Sequence, residues 1–461
     1  MSLKQSVFYS FMCCALVSQP AFSMAKILVI LPLSYPLEAL EEKVSHLKDT
    51  TRLQLAEREP QAVNDKDPVH YENQDGALGY NKKTFKIPRG LEKAVHFWTL
   101  IYSKYSTNQY VIHDIGDFTI HEVVDISDLR ETRMSAYQRE RLIIERLQNR
   151  KEKYENVRAQ LGQSDKFKKG IQYAGQYLSV LENIFRSEGL PLELTRLPFV
   201  ESMFNNYARS HAGASGLWQI MPSTGRENGL KVNATLDERN DPIKATLVAA
   251  KVLKQNHETL GNWPVAITAY NHGKMGMFRI TNKLGTKDIV EIINSHSSST
   301  FGFASKNFYA EFLAAVHVEE NYQKYFGQLK IEKPFTFDVV KLDKYVSLAS
   351  LVYYTNIAKE TLVELNPALS LRVLRGTQLI PNGYDLRIPQ DRKEDFLVAY
   401  KRIPKHQKFV QQVRNRFHRV RHGDTLSYLA KKYRTSVEAI LEINDLDDSR
   451  FIRIGENLKI P

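Results

Sequence analysis

The sequence predicts a mainly α-helical fold that ends in small βααβ modules. Three observations carry that expectation. Apolar residues recur at helical spacing from about residue 91, as in Val95, Phe97, Trp98, Ile101 and Tyr102. Helix-start signals, Pro191 and Asp241-Pro242, punctuate the middle of the chain. Past residue 418 the pattern shortens to strand, helix, helix, strand. A chain of 461 residues exceeds one ordinary domain, and 43% hydrophobic with 25% charged residues is a globular composition.

Taken in order, residues 1–23 read as a signal peptide. Lys4 supplies a positive start, Val7 to Val17 is mostly apolar, and Ala21-Phe22-Ser23 is a small-x-small cleavage site. The apolar run is short for a bilayer span. Cys13 and Cys14 are the chain's two cysteines, so the mature protein is expected to carry neither thiol nor disulfide. Residues 24–90 are polar and aperiodic, a loosely ordered lead-in. Residues 91–164 read as a helical extension. Its long charged helix, Met134 to Leu161, carries Leu142, Ile143, Ile144 and Leu147 as an apolar stripe.

A helical domain is expected over 165–325. Phe167 to Ser187 reads as one helix stopped by Gly189. A helix over Leu192 to Met203, with a kink at Pro198, delivers Glu201 near its end. Asp241 caps the next helix, which runs through Ala245, Leu247, Ala249, Ala250, Val252 and Leu253.

The last third holds a repeat. His418 to Arg421 is a strand, Gly423-Asp424-Thr425-Leu426 a turn and helix cap, and Leu458 to Pro461 a closing strand. A numbering shift of roughly 78 lays Leu348, Leu351, Leu362 and Leu365-Asn366 on Leu426, Leu429, Ile440 and Ile443-Asn444. Residues 336–390 are therefore an earlier, divergent copy, and the basic stretch 391–417 reads as a linker, partly helical.

Three short motifs carry the chemistry. Glu201-Ser202 closes Leu197-Pro198-Phe199-Val200; Gly216-Leu217-Trp218-Gln219-Ile220-Met221-Pro222 follows; Ala269-Tyr270-Asn271-His272-Gly273 comes last. In that order they resemble the lytic murein transglycosylases of the goose-type lysozyme-like fold, and among them the membrane-bound D group. The terminal βααβ segment, 418–461, resembles a LysM module. The resemblance implies a lysozyme-like α-helical catalytic domain followed by one divergent and one typical LysM module.

It also implies roles. Glu201 becomes the single acid/base. A carboxylic acid can protonate a glycosidic oxygen near neutral pH only if its charged form is disfavoured, and the apolar residues before Glu201 provide such surroundings. In this family the same glutamate then takes the proton of the muramic acid C6 hydroxyl, closing a 1,6-anhydro ring without water. Ser202, Ser210, Gln219, Met221, Tyr270 and Asn271 fall on substrate-facing positions. Gly423, Asp424, Thr425, Asn444 and Leu446 fall on the loops flanking the LysM glycan groove, with Asp424 also suited to a helix cap. Asp237, Glu238, Arg239 and Asp241 read as a salt-bridged turn.

The function this implies is cleavage of the MurNAc–GlcNAc bond of peptidoglycan by an exported, periplasmic, wall-associated lyase. No metal-ligand spacing and no cofactor motif is present, so neither is expected. The net charge of +12 suits a polyanionic partner, but no nucleic-acid-binding motif accompanies it. Glycan strands are the expected partner, and peripheral membrane association stays open. Two other readings remain: a muramidase that uses water, and a wall-binding protein without activity.

Overall fold

The computed structural model describes residues 84–127, 156–413, 416–433, 435–444, 446 and 452–460. The signal peptide, nearly all of the lead-in, and most of the helix expected from Met134 fall outside them. The chain divides into two compact units, 1–219 with 246–333 and 220–245 with 334–461.

The first unit begins with α1 (Glu92–Ser103), whose Val95, Phe97, Trp98, Ile101 and Tyr102 are buried. The extension that follows is not wholly helical. β1 (Gln109–Asp114) pairs antiparallel with β2 (Ile120–Asp125) on one side and β3 (Val157–Leu161) on the other. Residues 157–161, expected at the end of a helix, are thus a strand. Pairing with β1 satisfies their backbone groups, a long-range contact that local spacing does not report.

One long helix was expected over 167–187, and two are found, α2 (Ser164–Ala174) and α3 (Leu178–Ser187). The break falls at Gly175, where a side chain would collide with the Glu332 carbonyl and Ile331. A 3-10 turn (Leu192–Arg196) then leads into α4 (Leu197–Glu201). After the non-helical stretch 202–219 the regular elements are helices: α5 (Pro242–Leu260), which belongs to this unit from Thr246, α6 (Trp263–His272), α7 (Lys274–Leu284), α8 (Ile289–Ser295), α9 (Phe303–Glu320) and α10 (Tyr322–Phe326).

Helix α9 is the axis of this unit. It packs on α1, α4 and α6, and Phe308, Ala310, Phe312, Ala314, Ala315 and Val318 are buried on all sides of it. A helix apolar all round belongs to a core. Trp98 Nε1 on α1 donates to Asn307 Oδ1 at 3.1 Å, which satisfies the one polar atom of that buried indole.

In the second unit, β4 (Phe337–Lys341) pairs antiparallel with β6 (Asp385–Pro389) around α11 (Leu348–Thr355) and α12 (Lys359–Leu365). Between β4 and α11 lies β5 (Tyr345–Val346). The stretch expected as a linker is largely part of this module. α13 (Lys393–Arg402) buries Phe396 and Tyr400, and β7 (Lys408–Phe409) pairs with β5. The helix matches the partly helical expectation, but its basic charges lie on the outer side, so composition does not reveal the buried face that ties it to the module. The terminal module follows, with β8 (Arg416–Arg419), α14 (Leu426–Tyr433), α15 (Val437–Ile443) and β9 (Asn457–Ile460), β8 pairing antiparallel with β9.

The two modules share one device. Asn444 Nδ2 donates to the carbonyls of Ile440 and Lys459, and its Oδ1 accepts from Lys459 N at 2.7 Å. Asn366 does the same with Leu362 and Arg387. Each asparagine ties the second helix to the closing strand.

Candidate active site

Glu201 owes its place to two prolines. Pro191 is extended and starts the 3-10 turn. Pro198 sits in the first turn of α4, where its missing N–H costs nothing; it begins the helix rather than kinking it. Leu197, Phe199 and Val200 are fully buried and anchor α4 by roughly 1.5–3 kcal/mol each. Glu201, the last helical residue, is half-buried. The chain then turns sharply, with Met203 and Phe204 at φ 52° and 58°. Such left-handed residues cost about 1–2 kcal/mol each, a strain that the surrounding packing sustains.

Ser202 and Tyr270 bind the same loop. The Ser202 hydroxyl lies 2.8 Å from the Leu217 carbonyl, and the Tyr270 hydroxyl donates to the Trp218 carbonyl at 2.8 Å. Two successive carbonyls are thus engaged, one by the residue that follows α4 and one by a residue of α6. Trp218 itself is core: its ring stacks on Phe185 at 5.6 Å and its Nε1 donates to Thr246 Oγ1. Burial, and after it the negative charge of nearby Glu201, push the Tyr270 phenol well above its ordinary value. Tyr270 is therefore a neutral donor whose hydrogen is directed at the backbone.

Gln219 has φ 43°, and its Nε2 donates to the carbonyls of Ala208 and Gly216. Its amide nitrogen shapes the loop. Ser210 Oγ accepts from Ala214 N and closes the turn before it. Asn271 Oδ1 accepts from Ser305 Oγ at 2.9 Å, which ties the end of α6 to the start of α9. Beside it, burial lowers the His272 imidazole. Glu201, Ser202, Ser210, Gln219, Tyr270 and Asn271 all belong to the first unit; Met221 belongs to the second, half-buried before the short helix Pro222–Glu227.

One carboxyl near Glu201 escaped the sequence reading. Glu311, in the middle of α9, is 7% exposed. Burial first, and the charge of Glu201 second, push it up to about 8, against the opposing charge of Arg158. The available signal was a lone acid inside the apolar run Phe308 to Val318, since an unpaired glutamate is almost never fully buried without cause.

The acidic turn of the second unit has a different character. Arg239 forks onto Asp237 with two bonds of 2.8 Å, and Lys244 meets Glu238 at 2.7 Å. Arg387 of β6 meets Asp241 at 2.7 Å. Asp241 Oδ1 also accepts from Ile243 N and Lys244 N as the expected helix cap. Burial opposes ionisation of Asp241, but Arg387 and Lys244 outweigh it and hold the carboxyl below the usual range.

In the terminal module Thr425, not Asp424, caps α14, through its Oγ1 and Tyr428 N. Asp424 accepts from Arg421 N and from His418 Nε2 at 2.6 Å, which holds its carboxylate below the usual range. Gly423 is exposed with φ 87° and Thr425 is exposed, whereas Asn444 braces β9 and Leu446 packs at the edge of the core. Among the described residues no group of three or more side chains could hold a metal, and no helix is long and apolar enough to cross a membrane.

Residues 180–293 match the Transglycosylase SLT domain, and residues 418–461 match the LysM domain. Membrane-bound lytic murein transglycosylase D, from two strains of Escherichia coli, is 26% identical over 298 residues. That alignment covers 62% of this chain, and the chain spans 64% of those relatives' length. The 70 kDa soluble lytic transglycosylase of Escherichia coli is similar over 32% of this chain and 24% of its own, at 20% identity and a TM-score of 0.27. An inactive mutant of the lytic transglycosylase Slt from Pseudomonas aeruginosa covers 34% of this chain and 25% of its own, at 20% identity and a TM-score of 0.24.

Proposed function

We propose that this chain, which carries a transglycosylase SLT domain and a LysM domain, is an exported, wall-associated lytic transglycosylase. It cleaves the β-1,4 bond between MurNAc and GlcNAc in peptidoglycan and leaves a 1,6-anhydro-MurNAc end. Glu201 serves twice. Its proton passes to the glycosidic oxygen as the C1–O bond breaks. The carboxylate then takes the C6 hydroxyl proton as O6 bonds to C1, which returns Glu201 to its starting state.

The observation that carries this reading is the setting of Glu201. It ends a helix whose other residues are fully buried, yet it stays half-exposed, with Ser202 and Tyr270 fastening the loop beside it. A hydrolytic double displacement needs a second carboxylate that reaches the sugar. Glu311 is buried within α9, while Asp237, Glu238 and Asp241 are held in ion pairs. Ser210, Gln219 and Asn271 line the glycan path in this reading, and Gly423, Thr425 and Leu446 hold the strand through the LysM module.

The test is Glu201→Gln, which keeps the shape but carries no transferable proton. Activity on purified sacculi is expected to fall by at least about 10²–10⁴, the usual worth of general acid/base catalysis. A variant that retains a tenth of the wild-type rate contradicts the assignment.

A further inference from the structure

Residues 220–245 lie inside the stretch 180–293 that matches the transglycosylase domain, yet they belong to the second unit. There they meet the module of β4, α11, α12 and β6. This module aligns with the terminal one at a shift of roughly 78, and two matched sets of bonds fix the register. Asn366 braces β6 as Asn444 braces β9. Ser347 Oγ accepts from Ser350 N as Thr425 Oγ1 accepts from Tyr428 N. Residues 423–425 therefore correspond to 345–347, and 444–446 to 366–368.

The two copies treat these places in opposite ways. In the terminal module Gly423 and Thr425 are exposed, and Asn444 and Leu446 are half-buried. In the earlier copy both places are covered by the chain itself. Val346 is fully buried; it exchanges two backbone bonds with Ile380, at 3.2 and 2.8 Å, and pairs with Lys408 of β7. Residues 366–369 are all buried. Against them Asp237 N donates to the Ala368 carbonyl at 2.8 Å, and Ser370 N to the Thr235 carbonyl at 2.9 Å. Ser370 Oγ adds a bond of 2.6 Å to the Ala234 carbonyl. Leu236, 2% exposed, bridges to Leu369 and joins the core of this module.

We propose that the earlier module does not receive glycan: residues 234–237 occupy the loop that its terminal counterpart offers to the sugar, and the module is a clamp for the chain's own segment 220–245. This rests on the reading of Gly423, Thr425 and Leu446 as glycan contacts. A loop recognises an acetamido group through free backbone N–H and C=O groups, and here those groups are already paired with an added strand-like segment. A glycan entering this loop has to break three hydrogen bonds and uncover Leu236, and new bonds to a sugar only replace the ones lost. The clamp has a second jaw, the bond between Arg387 of β6 and Asp241. Between the jaws, Arg239 Nη1 donates to the Ile220 carbonyl at 2.9 Å, so the hold on 234–241 extends to the start of the segment, beside Met221. Retention on the wall then falls to the terminal module alone.

The experiment is peptide-resolved hydrogen exchange of the full-length protein, with and without an N-acetylglucosamine pentamer, which contains no MurNAc–GlcNAc bond. The pentamer should protect 421–428 and 441–446 and leave 342–350 and 366–372 unchanged. Protection at 342–350 or 366–372 overturns the proposal. Absence of protection throughout defeats the glycan reading of the terminal module instead, and the clamp is then decided by a variant. Leu236→Ala removes the apolar anchor of the segment, so exchange in 231–241 and 366–372 should rise together by at least about tenfold, with 421–440 unchanged. A rise in only one of the two stretches, or in neither, overturns the clamp. If Leu236→Ala does not fold, Ser370→Ala takes its place: it removes only the hydroxyl bond to the Ala234 carbonyl, and the same joint rise should reach about fivefold.

Discussion

Two regions of this chain bury carboxyl groups, and they do so in opposite company. In the turn 237–241 each acid meets a cation within 2.8 Å: Asp237 with Arg239, Glu238 with Lys244, Asp241 with Arg387. Behind Glu201 the buried neighbour is another carboxyl, Glu311, with the Tyr270 phenol close by. A buried carboxylate beside a guanidinium is fixed in its charge. A buried carboxyl beside a like group keeps its proton and can exchange it near neutral pH. Of two acid-rich stretches, the one with fewer cations is the one suited to acid/base chemistry.

The largest effect that can break this contrast is kinetic. Glu201→Gln should abolish turnover, while Asp237→Asn should leave folded molecules with wild-type kcat and a lower melting temperature. Activity loss in the second variant without loss of stability places chemistry in the turn.

Next comes stability. Arg387→Leu removes the ion-pair partner of buried Asp241 and leaves it the Lys244 charge and two backbone N–H groups, so the cost is at most about 3–5 kcal/mol, the figure typical of a broken buried pair; thermal unfolding of the two proteins compares them directly. The pH dependence has a definite sign. Asp241 is lowered in the folded state, so its contribution is complete above the ordinary carboxylate value and is lost as pH falls below it. Glu311 is raised, so its burial weakens the fold as pH climbs from the ordinary value toward about 8. Arg387→Leu should therefore flatten the acid side of a melting-temperature profile and Glu311→Gln the alkaline side. The same side flattened in both variants contradicts the distinction.

The smallest effect concerns the LysM module. A cut at 415 keeps Gln412, which bonds to the Leu379 backbone at both its amide atoms. Loss of residues 416–461 should weaken retention on sacculi and leave turnover of a short soluble glycan within about twofold, because a tethered binder raises local concentration rather than the rate of bond breaking. Retention equal to wild type at high salt assigns the module a structural role.

How much was legible follows the same lines. Glu201, Ser202, Gln219, Tyr270 and Asn271 sit in short contiguous motifs, and the helices that carry them have local start and stop signals. The correspondence of Asn366 with Asn444 surfaced because a repeat can be laid on itself, but their bracing of the closing strands did not, and Asn444 was placed on the glycan-groove loop instead. Glu311 and Arg158 had no such marker: they lie 110 and 43 residues from Glu201 in the sequence, and only packing of α9 and β3 makes them relevant. For the same reason β3 reads as helix and the helical stretch holding α13 as a linker outside the module, since a strand partner and a buried face are long-range facts. The engagement of Ser202 and Tyr270 with backbone carbonyls was likewise invisible, because side-chain type alone does not say where a hydrogen bond goes.

The central claim is that one carboxyl works twice and that no water enters the bond. It is tested most directly by digesting purified sacculi with the full-length protein in oxygen-18 water and weighing the released muropeptides. The account predicts anhydro-MurNAc ends, lighter by one water than a hydrolytic product and without label. Reducing MurNAc ends that carry oxygen-18 contradict it and make the enzyme a muramidase.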